Sequence, residues 1–411
     1  MTRWAGGSRA AHIALAGCLL LAVACQPRDE APPAAAAESG LPESIAQAAV
    51  GAPAWVADAY ARRGFRPLWV GDRAATERAL SALAGASRDG LDTDAYDARG
   101  IARDIALAGV DPARLASAEL RLSDALTGYL RDLRTPPAQH AFAWRDPDLA
   151  QRSAEPAALL DEAARAPSPV AWLNDALRMH PLYEAARNAK AIASLDQLRV
   201  LPADPGQRYI LVDASAAELR MIERGAVVDR MKVVVGKPGM DTPTLAGLIR
   251  YATYNPYWNL PPDLSAERAE RILFEGPALL EAQRLEVLSD WSPQARVLDP
   301  AVVDWSLMAA RIGDMRLRQR PGGRNVMGAV KFMLPNPLGI YLHDTPDRWA
   351  FARASRRMSS GCVRVEDADR LARWLFGRPP AASGAPEERI DLPTPVPVYI
   401  IHMRGSSAAT A

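Results

Sequence analysis

The chain has 411 residues, 49% of them hydrophobic, and its 49 Lys and Arg residues nearly balance 48 Asp and Glu residues, leaving a net charge of +1. This length is enough to bury a sizeable core in two or three domains. The near-neutral balance argues against a nucleic-acid partner, because that interface needs a concentrated basic surface.

Residues 1–25 have the pattern of an export signal. Arg3 and Arg9 precede a long apolar run, and these are the charged and apolar regions of a secretory signal peptide. The end of the run fits two kinds of processing. Ala22-Val23-Ala24 matches a small-residue cleavage site, and the segment ending at Cys25 resembles a bacterial lipoprotein box. We predict export to the periplasm and favour lipidation of Cys25, which would anchor the protein in the outer membrane.

The next two segments differ in composition. Residues 26–48 contain several prolines and the alanine run 34–37, so we predict a flexible tether that buries little surface. Residues 49–204 are rich in Ala, Leu and Arg, with apolar residues at helical spacing as in Leu120–Leu130. We predict a helical scaffold domain over residues 49–204.

Residues 205–405 have the pattern of a β domain. A hairpin turn is predicted at Glu223-Arg224-Gly225, between two of the β-type runs. Those runs are Tyr209–Val212, Glu218–Ile222 and Met231–Val235, with later ones at Ile249–Tyr254, Ile340–Leu342 and Val396–Ile401. Residues 262–318 return to helical spacing and predict a helical insertion that serves as a lid. The expected fold class is therefore α+β.

Cys362 is the candidate nucleophile of the mature protein. The chain has 3 Cys residues, and Cys18 and Cys25 lie within the export signal, so Cys362 has no evident disulfide partner. His343 follows a strand-like run, and the intervening chain is long enough to bring its imidazole next to the thiol. A thiol beside an imidazole is the minimum for a thiolate nucleophile at neutral pH. The alternative is an inert cysteine that packs as a small hydrophobe.

A helix is predicted shortly after Cys362. Glu366 and Asp367 are placed in its first turn and Gly377 at its end, and the apolar spacing is that of Val365, Ala368, Leu371, Ala372 and Leu375. Cys362 is then expected just ahead of the helix N-terminus. The helix dipole and free N–H groups there would lower the thiol pKa and offer donors to an oxyanion.

The motifs around these residues resemble the L,D-transpeptidases of bacterial cell walls, specifically the long multi-domain type with a capping insertion. The resemblance spans about residues 205–403 and is carried by Val235-Gly236-Lys237-Pro238, Thr242-Pro243-Thr244, Asn255–Pro261, Pro321–Gly328, Tyr341–Pro346 and Ser359–Val365. It implies a mostly β catalytic domain with a lid, preceded by a helical scaffold. The small wall-binding module usual in long members has no room here, because the first strand follows the helices closely.

The resemblance also implies roles for individual residues. Cys362 would attack the carbonyl of the third residue of a tetrapeptide stem, meso-diaminopimelate or a similar diamino acid, and expel D-alanine to leave a thioester. His343 would act as the base, oriented by the backbone carbonyl of Asp344. The N–H groups around Ser360, Gly361 and Cys362 would form the oxyanion hole, and Arg364 would bind a substrate carboxylate or a local partner. An acceptor amine from a second stem would complete a 3-3 crosslink. No metal or other cofactor is implied, and carbapenems are expected to acylate the same thiol.

Three further residues are candidates for substrate binding, each with a structural alternative. Tyr341 lies two residues before His343, on the same face of an extended strand. Trp258 could line the donor groove or belong to a core. Asn325 could contact substrate or cap the glycine-rich turn that begins at Pro321.

Two other functions remain open from the sequence. Water could resolve the same acyl-enzyme, which would make the protein an L,D-carboxypeptidase or endopeptidase, since only the acceptor differs. A non-enzymatic wall-binding scaffold built on a degenerate catalytic domain is the third possibility, and the retained Cys362 and His343 argue against it.

Overall fold

The computed structural model describes residues 40–403. The predicted signal peptide, including Cys25 and most of the predicted tether, lies outside these residues. Nine α-helices are described in the first half of the chain: α1 Leu41–Ala49, α2 Ala54–Arg62, α3 Arg73–Ala84, α4 Ala98–Ala108, α5 Pro112–Arg134, α6 Pro156–Arg165, α7 Pro169–Ala176, α8 Pro181–Asn188 and α9 Ile192–Leu198. None of the helices in the described range is long and apolar enough to cross a membrane.

Helix α1 corrects the predicted end of the tether at residue 48. Leu41, Ile45 and Ala49 are buried on one face of this helix. Their spacing of four residues places them in one stripe, and α1 packs against the long helix α5. The predicted tether therefore ends before residue 41, because the apolar residues of α1 have helical spacing and are buried in the scaffold core.

The scaffold is held together by a fully buried carboxylate on α5. Both oxygens of Glu119 accept backbone N–H groups, among them Val70 N at 2.9 Å from Oε2. Tyr60 donates its hydroxyl to the same carboxylate. Burial raises the pKa of Glu119, and the hydrogen bonds from Tyr60 and the backbone act in the opposite direction. The carboxylate thus fixes the loop between α2 and α3 on the scaffold core.

A 10-stranded sheet is built mostly from the second half of the chain. Its strands are β1 Trp144–Arg145, β2 Arg208–Asp213, β3 Glu218–Glu223, β4 Ala226–Gly236, β5 Leu245–Tyr254, β10 Val330–Met333, β11 Leu342–His343, β12 Arg357–Ser359, β13 Val363–Val365 and β14 Glu388–Ile401. Their order across the sheet is β1-β5-β10-β11-β13-β4-β3-β2-β14, with β12 paired to β4. Strand β14 pairs with both β2 and β5, so the path of strands closes on itself.

The predicted hairpin turn is confirmed. Strands β3 and β4 are joined by Arg224 and Gly225, and both residues have positive φ, 50° and 80°. Two successive residues with positive φ are typical of the tight turns that match the twist of a hairpin.

The scaffold and the sheet share one hydrophobic core. Strand β1 comes from the scaffold half of the chain and pairs with β5 in parallel. Tyr209 from β2 and Tyr399 from β14 are buried in the same cluster as the scaffold helices. His180, at the start of α8, is fully buried and its Nε2 lies 3.1 Å from the Tyr209 hydroxyl. The scaffold therefore supports the sheet directly.

The insertion predicted as a helical lid over residues 262–318 contains strands as well as helices. Its helices are α10 Pro262–Glu275, α11 Ala278–Ala282 and α12 Trp305–Ala309, and its four strands are β6 Trp258–Asn259, β7 Leu285–Leu288, β8 Val297–Leu298 and β9 Arg316–Gln319. Leu285, Val287 and Leu317 are buried with α10 in a core of the insertion's own. The alternating apolar residues of the short strands determine this sheet.

Helix α13, Ala368–Phe376, begins later than the sequence predicts. Val363, Arg364 and Val365 form strand β13, and Asp367 caps the helix by accepting from Arg370 N at 2.9 Å. Val365 fits both a helical and an alternating pattern, and pairing with β4 and β11 selects the strand. The predicted effect of the helix dipole on Cys362 is therefore wrong, because a strand separates the two.

Candidate active site

The parallel pairing of β11 and β13 places the site residues on one face of the sheet. Leu342 lies opposite Val363 and His343 opposite Arg364. Leu342 and Val363 are buried in the sheet's core. Because side chains alternate along a strand, the residues on either side of this pair face outward. Tyr341, His343, Cys362 and Arg364 therefore share the outer face.

His343 is buried, and the backbone of both Asp344 and Met327 interacts with its ring. Its Nδ1–H donates to the backbone carbonyl of Asp344 over 2.6 Å, the contact expected for orientation of the ring. This hydrogen bond leaves Nε2 as the basic nitrogen. Burial lowers the pKa of His343 to about 3, with the charge of Arg364 acting in the same direction and the Asp344 carbonyl acting against it. The imidazole is therefore neutral at pH 7.

Cys362 is half-buried, and its sulfur lies 3.6 Å from the carbonyl oxygen of Gly339, to which it donates. Burial raises the pKa of the thiol, while hydrogen bonds from Tyr341 and the charge of Arg364 lower it. Among the described residues, no hydrogen bond joins the sulfur to His343. The resting site thus holds a neutral thiol and a neutral imidazole on adjacent strands, without the direct contact that the sequence suggested.

The turn that carries Cys362 is fixed by two buried hydroxyls. Ser359 Oγ donates to the Cys362 carbonyl over 2.6 Å and accepts from Gly361 N at 3.2 Å. Thr242 Oγ1 donates to the Gly361 carbonyl over 2.7 Å and accepts from Gly236 N at 2.9 Å. Gly361 has φ +120°, a conformation that side-chain-bearing residues rarely adopt.

These contacts change the predicted oxyanion hole. The N–H of Gly361 is bound to Ser359, so it is a weaker candidate donor than the sequence suggested. Within the described part of the chain, the N–H groups of Ser360 and Cys362 have no protein acceptor. Those two N–H groups are the remaining candidates for stabilising an oxyanion at the sulfur.

Asp344 has a second role that the sequence did not show. Its Oδ2 accepts from Ala329 N over 2.8 Å, and its Oδ1 accepts from Arg348 over 2.6 Å. Gly328 must be glycine at this point, because a Cβ there would lie 2.3 Å from Asp344 Oδ2. The carboxylate thus clamps the glycine-rich turn while the carbonyl of the same residue holds His343.

Arg364 is bound within the protein. Its guanidinium donates to Asp347 Oδ2 over 3.1 Å. Its place opposite His343 and its influence on the pKa of both His343 and Cys362 give it an electrostatic role in the site. The structure therefore supports the local-partner alternative for Arg364 and provides no separate evidence for binding of a substrate carboxylate.

Comparison with known proteins identifies the domain that holds this site. Residues 207–398 match the L,D-transpeptidase catalytic domain family, YkuD. The sheet-forming half of the chain is thus similar to L,D-transpeptidase catalytic domains. Residues 54–189 match a second family, described as a Scaffold domain. A helical part that matches the Scaffold domain family is thus followed by a mostly β part that matches the L,D-transpeptidase domain family, which confirms the predicted α+β class.

A Haemophilus influenzae protein with the provisional name of an L,D-transpeptidase is 33% identical over 187 residues, which is 46% of this chain and 37% of that protein. An L,D-transpeptidase structure from Mycobacterium smegmatis has a TM-score of 0.23 at 15% identity, covering 47% of this chain and 58% of that one. The structure of an Ldtfm–avibactam carbamoyl enzyme has a TM-score of 0.22 at 14% identity, covering 53% and 62%. Both TM-scores are too low to support a conclusion.

Two of the three predicted substrate-binding residues have structural roles in the transpeptidase domain. Asn325 is fully buried, and its side-chain amide is hydrogen-bonded to backbone groups. Nδ2 donates to the carbonyls of Pro256, Gln319 and Arg320, and Oδ1 accepts from Met327 N. The turn-cap alternative is therefore correct for Asn325. Trp258 packs against the core of the insertion.

Tyr341 is the substrate-binding candidate that lies at the site. Its ring centroid is 5.8 Å from that of His343, in an edge-on arrangement. Burial raises the pKa of the Tyr341 hydroxyl, and so does its hydrogen bond to Cys362. Tyr341 thus contacts both members of the predicted catalytic pair.

Ser360 faces the insertion. A cavity of about 360 Å³ lies between the cysteine turn and α10, and Ser360, Lys237, Asp263 and Glu267 are among its lining residues. The insertion therefore lies beside the turn that carries Cys362, and its role as a lid stays a prediction. In the described part of the chain, no group of His, Cys, Asp and Glu side chains is arranged to hold a metal ion.

Proposed function

We propose that this protein is a periplasmic L,D-transpeptidase that forms 3-3 crosslinks between peptidoglycan stem peptides through a thioester at Cys362. The observation that carries the proposal is the shared outer face of β11 and β13. Cys362 and a neutral, oriented His343 share this face, within residues that match the L,D-transpeptidase catalytic domain family, and this arrangement supports the proposal.

In the acylation step, the Cys362 sulfur attacks the carbonyl carbon of the diamino acid at position three of a tetrapeptide stem. Nε2 of His343 accepts the thiol proton as the S–C bond forms. The tetrahedral intermediate collapses, the C–N bond to the terminal D-alanine breaks, and the imidazolium returns the proton to the leaving amine. The low pKa of His343 keeps the ring unprotonated before attack. As the sulfur gives up its proton, negative charge develops next to the ring. This charge stabilises the imidazolium and so allows Nε2 to accept the proton.

In the second step, the acceptor is the side-chain amine of a neighbouring stem. The amine nitrogen attacks the thioester carbon, His343 takes a proton from that nitrogen, and the sulfur leaves as a thiol after receiving the proton. Water in place of the amine would give hydrolysis and a tripeptide. We expect the amine route to be favoured if the insertion, which lines a cavity together with Ser360, closes over the thioester and limits access of water.

The N–H groups of Ser360 and Cys362 would receive the oxyanion in both steps. One such donor is usually worth on the order of 3 kcal/mol in the transition state. Tyr341, bound to Cys362 in the resting site, would release the sulfur when substrate enters. A β-lactam carbonyl presents the same electrophile, so carbapenems are expected to acylate Cys362.

We also propose that the mature protein is a lipoprotein attached through Cys25 to the outer membrane. The residue after Cys25 is Gln26 rather than an aspartate that would retain it in the inner membrane. Detergent extraction and metabolic lipid labelling of the wild type and Cys25→Ala test this. Soluble release that is identical for both proteins would favour ordinary signal cleavage.

The test of the enzymatic proposal is incubation of the purified protein with tetrapeptide-stem muropeptides, followed by mass analysis. We expect a crosslinked dimer that consists of one tripeptide stem and one tetrapeptide stem. One D-alanine should be released for each crosslink. A tripeptide without dimer would establish the hydrolase, and unchanged tetrapeptide would contradict both enzymatic functions.

A further inference from the structure

A cation and an anion lie side by side on the sheet face next to the predicted catalytic pair. Lys331 on β10 lies directly opposite His343 in the antiparallel register. Its Nζ is 3.5 Å from Oε1 of Glu387, the residue that precedes β14. Neither residue was singled out by the sequence.

Both charges lie within electrostatic reach of the reacting groups. The charge of Lys331 acts on His343, and that of Glu387 acts on Tyr341, which is hydrogen-bonded to Cys362. Lys331 and Glu387 therefore border the space that a stem peptide would enter when its carbonyl approaches the sulfur.

The backbone at Glu387 is held in a left-handed conformation, with φ of 54°. Such a conformation is costly for a residue other than glycine and persists where the surroundings enforce it. Here Glu387 N donates to the Asn255 carbonyl over 3.0 Å, and its side chain accepts from Tyr257 N at the entrance to the insertion. These contacts fix the position of the carboxylate.

The pair has unused hydrogen-bonding capacity. The Lys331 ammonium has three donors, and 3.5 Å is a long distance for an ion pair. Among the described residues, Oε2 of Glu387 has no hydrogen-bond partner. The side chains are 12% and 43% exposed for Lys331 and Glu387. A ligand group that carries both a carboxylate and an ammonium would complement this pair better than a group with one charge.

We infer that Lys331 and Glu387 form a specificity site for the distal amino-acid centre of the donor's diamino acid, with Lys331 binding its carboxylate and Glu387 its ammonium. This inference rests on the proposed function. Attack occurs at the carbonyl of that same residue, so its side chain must extend over the neighbouring sheet face. The site would make the enzyme prefer a stem with meso-diaminopimelate over a stem with lysine, which lacks the second carboxylate.

The test compares wild type, Lys331→Met and Glu387→Gln on donors that differ only at position three, meso-diaminopimelate or lysine, by kcat/KM for D-alanine release. Lys331→Met should lose about tenfold on the diaminopimelate donor, the loss expected for one charge-assisted hydrogen bond, and little on the lysine donor. Glu387→Gln keeps an oxygen that can accept from Tyr257 N. Its kcat/KM should fall on both donors, because diaminopimelate and lysine both carry the ammonium that Glu387 would bind.

Matched controls on the same protein are Asp391→Asn and Lys232→Met, which remove charges paired elsewhere, with Arg389 and Glu366. Acylation by a carbapenem, which lacks a diamino acid, is measured in all five proteins to show that the nucleophile is intact. A change in acylation that arises from the charge of Lys331 on His343 should be common to the carbapenem and both stem donors, so the loss specific to the diaminopimelate donor should remain after division by the carbapenem rate. If wild type releases D-alanine and Lys331→Met keeps the wild-type preference, this inference fails and the proposed function stands. If wild type releases D-alanine from neither donor, both fail.

Discussion

His343 and Arg364 lie directly opposite each other on neighbouring parallel strands, so a permanent cation adjoins the buried imidazole. Burial and, to a smaller extent, this cation lower the pKa of the imidazole, so the ring stays neutral at pH values far below the usual pKa of histidine. The same cation lowers the pKa of the Cys362 thiol, against the effect of burial. One residue thus favours the neutral base and the thiolate at once.

Replacing Arg364 should therefore shift both limbs of the pH–rate profile in the same direction. In Arg364→Met the imidazole pKa rises, so protonation of the base begins at higher pH, and the thiol pKa rises as well. We expect both limbs of kcat/KM for acylation to move to higher pH. The measurement is carbapenem acylation between about pH 2 and 11, a range that extends below the His343 pKa of about 3 and above the ordinary thiol pKa.

Arg373→Met is the control, since Arg373 is exposed on α13. The electrostatic role of Arg364 would be wrong if the two profiles of Arg364→Met and wild type were superimposable after scaling. Movement of only one limb would restrict its influence to the corresponding group.

His343→Ala should slow acylation by ~10²- to 10⁴-fold, the usual loss on removing a general base. The ring has no replacement among the contacts of Cys362, whose neighbours are Tyr341 and the Gly339 carbonyl. Stopped-flow acylation at pH 7 measures the effect, with His140→Ala as a control histidine. A wild-type rate in His343→Ala would show that another group accepts the thiol proton.

The same burial predicts a loss of stability at low pH. The pKa of His343 is about 3 in the folded protein and 6.5 as the reference value. Between pH 3 and pH 6.5 the unfolded chain therefore binds more protons than the folded protein. The contribution of His343 to the free energy of unfolding is complete above pH 6.5 and declines as the pH falls towards 3. Urea unfolding of wild type and His343→Gln should converge as pH decreases from 7 to 4. A constant difference across that range would contradict the assigned pKa.

Thr242→Val should slow acylation without unfolding the protein. The change removes the hydrogen bond to the Gly361 carbonyl and leaves Gly236 N without its acceptor, at a cost of about 1–3 kcal/mol. Thr244→Val is a matched control, because Thr244 Oγ1 donates over 2.7 Å to Ala141 in the scaffold and does not contact the cysteine turn. We expect similar losses of stability in both variants and a reduced acylation rate in Thr242→Val alone. Equal acylation rates would make Thr242 a purely structural residue.

The insertion can be removed at a defined point. Asn259 and Arg318 are paired in β6 and β9, so an Asn-Gly turn can replace residues 260–317. We expect the shortened protein to retain acylation by a carbapenem. The ratio of hydrolysed to crosslinked product should be higher in the shortened protein than in the full chain. If the product ratio were unchanged, the insertion would not protect the thioester from water.

Local patterns predicted the parts of the fold that depend on neighbouring residues. The turn at Arg224 and Gly225 followed from its residue types and from the alternating runs on both sides. The pattern was ambiguous at Val363–Val365, where apolar spacing fitted a helix and pairing with β4 and β11 selected a strand. The same ambiguity concealed the sheet of the insertion.

The site depends on contacts between residues far apart in the chain. Thr242 reaches Gly361, and Lys331 reaches Glu387, only after the sheet has formed. The polar side chain of Asn325 suggested a ligand contact, but its burial under the turn was not visible in the sequence. Cys362 and His343 could be named because thiol and imidazole chemistry is rare in this chain, which has 3 Cys and 5 His residues.

The most direct test of the central claim is intact-mass spectrometry of a reaction between the protein and a tetrapeptide stem, quenched in acid within the first turnover. The account predicts an adduct with the mass of the stem minus D-alanine, located at Cys362 by peptide mapping and absent in Cys362→Ala, whose circular dichroism should match that of the wild type. Turnover of the stem by Cys362→Ala, or an adduct on any other residue, would contradict a thioester mechanism at Cys362.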